Sequence, residues 1–128
     1  MIPITGNLVD KIWLNRPKNH KNKFFLLNSK YAGKNYNNKL NIVCKILKKR
    51  RINRLLITAP ENLAWLLNIR GKDNKYSPIP NCHAILSDNK KITLIVNGNK
   101  ISNKFKLYLK NYINYINPSN VSKYLKKI

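Results

Sequence analysis

Between residues 35 and 71 two helical patterns flank one short apolar run, and a chain with that succession of periods has to lay helices on a sheet. Leu40, Val43, Cys44 and Leu47 recur at i, i+3, i+4 and i+7, and Ile42 and Ile46 widen the stripe. The spacing predicts an amphipathic helix of about four turns. Asn35 stands where an N-cap belongs, and Lys48, Lys49, Arg50 and Arg51 crowd the far end, where cations meet the negative pole of the helix dipole. Residues 54–58 then read as a buried strand over Leu55, Leu56 and Ile57. Thr58-Ala59-Pro60-Glu61 has the form of a capping box, with the Thr hydroxyl accepting from an early helix N–H and the Glu carboxylate reaching back. A second helix starts here, since Pro60 is tolerated in a first turn whose N–H groups have no intrahelical partner. Leu63, Leu66, Leu67 and Trp65 supply its packing face, and Gly71 closes it after Asn68-Ile69-Arg70.

Upstream, Leu8, Val9, Ile12 and Trp13 fall at helical spacing behind Thr5, a candidate N-cap, and residues 15–22, with Pro17, read as an exposed connector. Residues 24–27 read as extended and end in the turn-like Asn28-Ser29. Downstream, residues 73–81 hold Pro78 and Pro80 and form a rigid loop, because proline gives no donor to a ladder. Residues 82–86 and 92–96 read as a hairpin across a polar turn. A Lys-rich amphipathic helix with Phe105, Leu107 and Leu109 spans residues 102–110, a strand spans residues 112–116, Pro118 breaks it, and a short helix ends the chain. The order gives an α/β domain with a mixed β-sheet and flanking helices. A chain of 128 residues is one domain by length, residues 1–128.

The charge balance bounds the partners. Against 26 Lys and Arg stand only Asp10, Glu61, Asp73 and Asp88, a net charge of +22. Non-specific binding to polyanions at low salt is expected, since each neutralised phosphate releases counterions. Only five of the basic residues are Arg, the side chain suited to bidentate phosphate and guanine contacts, whereas Lys, Asn and Ile are abundant together. All three have codons built of A and T alone, so compositional drift accounts for the charge better than a dedicated nucleic-acid surface. Cys44 and Cys82 lie far apart without a CxxC pattern and read as reduced thiols. The N-terminus lacks a charged start followed by an apolar run, and no stretch approaches ~20 apolar residues, which predicts a cytoplasmic chain with no membrane insertion.

Four stretches in order, residues 2–13, Tyr31-Ala32-Gly33, residues 58–71 with Ala64-Trp65-Leu66-Leu67-Asn68-Ile69-Arg70-Gly71 as the most specific element, and residues 73–78, resemble the second, middle domain of three-domain Xaa-Pro aminopeptidases. Arg16-Pro17 after Trp13 matches the same pattern, and Trp13, Trp65, Asn68 and Gly71 are its fold signature. The resemblance implies a creatinase/prolidase N-terminal-type fold with a ribonuclease-H-like motif. It makes residues 1–22 a former interdomain helix and connector and residues 23–128 the α/β body. Lys72 stands where Ser is usual in the family, and Ser77 where Asn precedes Pro78.

The family's reaction takes place in a separate C-terminal domain with two divalent metals, usually manganese, which activate a hydroxide. This chain's few carboxylates, with His20 and His83, make no such constellation, so no catalytic or metal-binding residue is assigned here and no cofactor is expected on the chain itself. His20 reads as a solvated side chain, and His83 as a strand residue. The expected role is that of an isolated non-catalytic domain, a truncated or split metallopeptidase relic, or else the non-catalytic subunit of a split enzyme whose separately encoded catalytic domain is its partner. Arg70, Asp73 and Pro78 are the candidate cleft-facing contacts, although Arg70 also suits a helix C-terminal cation and Trp65 a core anchor. The alternative is a basic nucleic-acid-binding module in which Tyr108, Tyr112, Tyr115 and Tyr124 interleave with Lys as stacking platforms.

Overall fold

A four-stranded mixed sheet organises the computed structural model, which describes residues 6–15, 22–109 and 112–128. Strand β2 (Arg54–Ile57) runs antiparallel to β4 (His83–Ser87), β4 antiparallel to β5 (Ile92–Ile95), and β5 parallel to β6 (Ile113–Ile116). The hairpin β4–β5 follows directly from its two apolar runs across a polar turn. The parallel step needs a crossover, supplied by α5 (Asn103–Leu109). The expected α/β class with a mixed sheet is the observed one.

The strand pairing separates the two faces. Leu55, Leu86, Ile92 and Ile113 form one cross-strand row, and Ile57, Ala84 and Leu94 the next, all on the face that packs against α3 (Tyr36–Lys49), α4 (Pro60–Leu67) and α5. Leu40, Leu63, Leu67, Phe105 and Leu109 close this core with no or almost no exposed surface. The opposite face buries Ile85, Thr93 and Ile95, and the Tyr124 hydroxyl of α6 (Val121–Leu125) meets the Thr93 hydroxyl at 2.8 Å.

Helix α3 follows its periodicity. The Asn35 side chain accepts from the Asn38 N–H at 2.8 Å, and Leu40, Cys44 and Leu47 are buried. Ile42 and Ile46 are exposed, so the stripe is narrower than expected. Position changes the reading of β2. It is a sheet edge, so Leu56 is 54% exposed rather than buried.

The capping box of the second helix does not form. Pro60 is the first helical residue of α4, which makes Ala59 the N-cap, without a side-chain hydrogen bond, and sets Thr58 one residue too early. The helix also ends sooner than expected. Asn68 adopts the left-handed conformation (φ 53°) and stops it, and Ile69–Arg70 form β3, antiparallel to β1 (Phe25–Leu26). Asn28-Ser29 is the start of a further short helix, α2 (Ser29–Ala32), whose cap is the Asn28 side chain accepting from Lys30 N–H at 2.9 Å.

Helix α1 (Leu8–Ile12) is capped by Asn7, whose side chain accepts from the Val9 N–H at 3.0 Å. Thr5, Arg16, Pro17 and His20 lie outside the described residues. Leu8, Val9, Ile12 and Trp13 are all exposed. No helix among the described residues is long and apolar enough to cross a membrane.

Candidate cleft-facing loop

The connection from β3 to β4 is a loop with a braced neck. At its start the Gly71 N–H donates to the Pro78 carbonyl at 2.9 Å, and Asn74 and Ser77 pair across it as an isolated bridge. Gly71 is required by proximity: a Cβ there would stand 2.6 Å from Pro80 Cα and 3.1 Å from Pro80 N, both backbone atoms. Asp73 holds the other end. One carboxylate oxygen accepts from the Asn81 N–H at 2.7 Å, and the other pairs with the Lys100 ammonium, each side chain less than a tenth exposed. A buried pair of this kind fixes geometry because either charge left alone is costly.

The head of the loop faces outward. Lys72, Asn74, Lys75, Tyr76 and Pro78, with Phe25 of β1, line an open groove of ≈ 450 Å³. Tyr76 is 86% exposed, with the Lys75 ammonium 5.2 Å from its ring centre.

The other candidate residues have structural duties. The Arg70 guanidinium donates to the carbonyls of Ala64 at 3.0 Å and Ile69 at 2.8 Å, the helix C-terminal role. Arg70 is therefore not presented with the loop head. Trp65 is not a core anchor: 52% of it is exposed, because Leu63, Leu66 and Leu67 take the buried side of α4. Its carbonyl accepts from the Lys39 ammonium at 2.8 Å, and that ammonium also lies 4.8 Å from the indole centre. Asn68 is buried, accepts from Lys39 at 2.6 Å and donates to the Lys34 carbonyl at 2.9 Å. Burial pushes the Lys39 ammonium below the ordinary lysine value, and the charge of Arg70 adds to the effect.

The described residues do not fit a divalent metal. Both oxygens of Asp73 are engaged, and exposed His83 holds the Thr58 carbonyl at 2.7 Å through Nδ1. Burial, with the Asp73 charge adding and Lys100 opposing, pushes the Cys82 thiol up to about 12. Among the described residues no group of three or more His, Cys, Asp or Glu could hold a metal ion. One consequence is measurable: Cys44 and Cys82, buried with raised thiols, should react with a disulfide reagent at mildly alkaline pH only after denaturant is added. Rapid labelling of the native chain would contradict this.

The tyrosines expected to offer stacking platforms mostly pack internally. The Tyr36 ring packs against Tyr108 with centres 4.5 Å apart and planes tilted by 51°, its hydroxyl donates to the Tyr108 carbonyl at 2.8 Å, and it meets Tyr112 edge-on at 6.4 Å. Tyr124 is engaged with Thr93, which leaves Tyr115, 45% exposed with Lys106 at 5.5 Å from its ring centre. The roles of Lys39 and Lys100 escaped the sequence because both are Lys in a chain full of surface Lys. Only the apolar neighbours of Lys39 in the α3 stripe hinted at its position.

The creatinase/prolidase N-terminal domain family matches residues 15–128. That description is of an N-terminal domain, whereas the resemblance implies a middle one. A probable Xaa-Pro aminopeptidase P of Sordaria macrospora is 36% identical over 107 residues, 83% of this chain and 17% of that protein. Xaa-Pro aminopeptidase 1 of Dictyostelium discoideum is 32% identical over 126 residues, 94% of this chain and 20% of that protein. The chain thus spans about a fifth or less of the length of these relatives. The X-prolyl aminopeptidase structure from Caenorhabditis elegans superposes with a TM-score of 0.88 over 98% of this chain and 20% of that one, at 24% identity, and shares the fold.

Proposed function

The chain belongs to the creatinase/prolidase N-terminal domain family, and from that premise we propose that it is a non-catalytic domain of an Xaa-Pro aminopeptidase, which docks on a metal-bearing catalytic domain and frames its cleft. The contact is the same whether that domain is carried on one polypeptide or supplied as a separate subunit. The two divalent metals then belong to the catalytic domain. The observation that carries this reading is the braced loop. Its neck is fixed by Gly71, Asp73 and Lys100, while Lys72, Lys75 and Tyr76 project from a head with no structural duty of comparable strength. A stiff, cationic and aromatic projection suits a carboxylate-rich neighbour, because its ordering cost is met before docking.

The test uses a catalytic domain from one of the curated relatives, loaded with manganese and assayed on an Xaa-Pro peptide. The chain alone should show no hydrolysis, and its addition should raise the activity of the catalytic domain. Lys75→Glu with Tyr76→Ala should weaken that effect by about tenfold while the chain stays folded. Equal activity with and without the chain, or with the loop variant, would overturn the docking role; hydrolysis by the chain alone would overturn its non-catalytic character.

A further inference from the structure

We propose that the open edge of β2 and the apolar groove beside it take up an extended, acidic segment of a partner protein as an added strand of the sheet. Strand β2 pairs with β4 on one side, and no strand among the described residues occupies its other side. Backbone donors and acceptors on such an edge are available to an incoming chain. Beside this edge lies a groove of ≈ 220 Å³, lined by Val43, Leu55, Ile57, Asn62, Trp65 and Leu66. An added strand alternates its side chains, so one set would fill this groove and the other would cover Leu56, 54% exposed on the opposite face of β2.

The groove wall is ordered in advance. Trp65 is half exposed, yet Lys39 sits over its ring and bonds its carbonyl. An aromatic side chain already held in place loses little freedom on binding, which is what a binding anchor requires.

Charge selects the occupant and its polarity. Lys48, Lys49, Arg50, Arg51 and Arg54 are exposed where α3 leads into β2, whereas Glu61 stands beyond the other end of the strand, in the first turn of α4. Acidic residues are therefore favoured at the Arg54 end, against Lys48, Lys49, Arg50 and Arg51, since the Arg54 guanidinium itself already donates to the Ile128 carbonyl at 2.7 Å. Antiparallel pairing, the slightly stronger mode, puts the C-terminal side of the incoming segment there. A second copy of this chain is disfavoured because each copy carries a net charge of +22. This surface shares no lining residue with the loop groove, so its fate is independent of the docking role proposed above.

The probe is a fluorescein-labelled synthetic peptide that alternates Thr with Val and Leu and ends in a run of Glu, titrated at physiological ionic strength. The expected results are saturable binding, slowed amide exchange at Arg54 and Leu56, whose N–H groups face away from β4, and a loss of about tenfold in affinity for Trp65→Ala. N-methylation of the peptide amides that face β2 leaves charge and side chains unchanged, and should also cost about tenfold or more. Leu56→Lys, at an exposed site, provides a second variant if Trp65→Ala unfolds. Equal binding of the N-methylated peptide, equal binding of a Glu run alone, or full displacement by oligodeoxythymidylate without a change in exchange at β2 would overturn the proposal. So would concentration-dependent dimers that protect β2 in the absence of peptide.

Discussion

Asp73→Ala should destabilise the fold by about 3–5 kcal/mol, the usual cost of stranding one member of a buried ion pair. The substitution leaves the Lys100 ammonium, less than a tenth exposed, without its carboxylate, and takes the acceptor from the Asn81 N–H. Urea unfolding followed by circular dichroism measures the effect. The double variant Asp73→Leu with Lys100→Met should recover most of the loss, because it removes both charges together. A cost below about 1 kcal/mol for Asp73→Ala would mean that water solvates the pair as at a surface.

Gly71→Ala should cost about 1–3 kcal/mol, the range for forcing atoms into an occupied space, and it should act through the loop. The added Cβ meets Pro80 backbone 2.6 Å away, and backbone cannot swing aside as a long side chain does. Either β3 or the Pro78–Pro80 segment has to move, which loosens the Gly71 to Pro78 hydrogen bond. Gly98→Ala is the matched control. Nothing lies within 4 Å of its Cβ position, and its effect should be small, with a slight gain from reduced freedom of the unfolded chain. Equal midpoints for the two variants would show that the close approach at Pro80 is not rigid.

Local periodicity carried most of the fold. The α3 stripe, its Asn35 cap, the β4–β5 hairpin and β6 are all legible because each satisfies its own geometry within a few residues. What failed depended on a register shift of one residue or on a distant partner. Thr58 makes a capping box only if the helix begins at Ala59, and it begins at Pro60. Ile69 and Arg70 become a strand because β1, more than forty residues earlier, pairs with them. Trp65 read as core through its apolar character, although the i, i+3, i+4 set of Leu63, Leu66 and Leu67 already turns position 65 away from it. For the loop, Arg70, Asp73 and Pro78 read as a cleft-facing group and Gly71 only as a helix end; that Arg70 serves the helix end and that Asp73 faces inward were not legible, since Lys100, the partner of Asp73, reads as one more surface charge.

Lys39 and Lys100, the two buried lysines among the described residues, make the chain a reporter of its own integrity. Acetic anhydride acylates amines that water can reach, so Lys39 and Lys100 should stay unmodified in the native chain while exposed lysines are acetylated. A mass-spectrometric map then separates folded from unfolded material at two fixed positions. The same contrast guides charge reduction: a less basic version can exchange exposed lysines for glutamine, whereas these two have to remain where their acceptors wait for them.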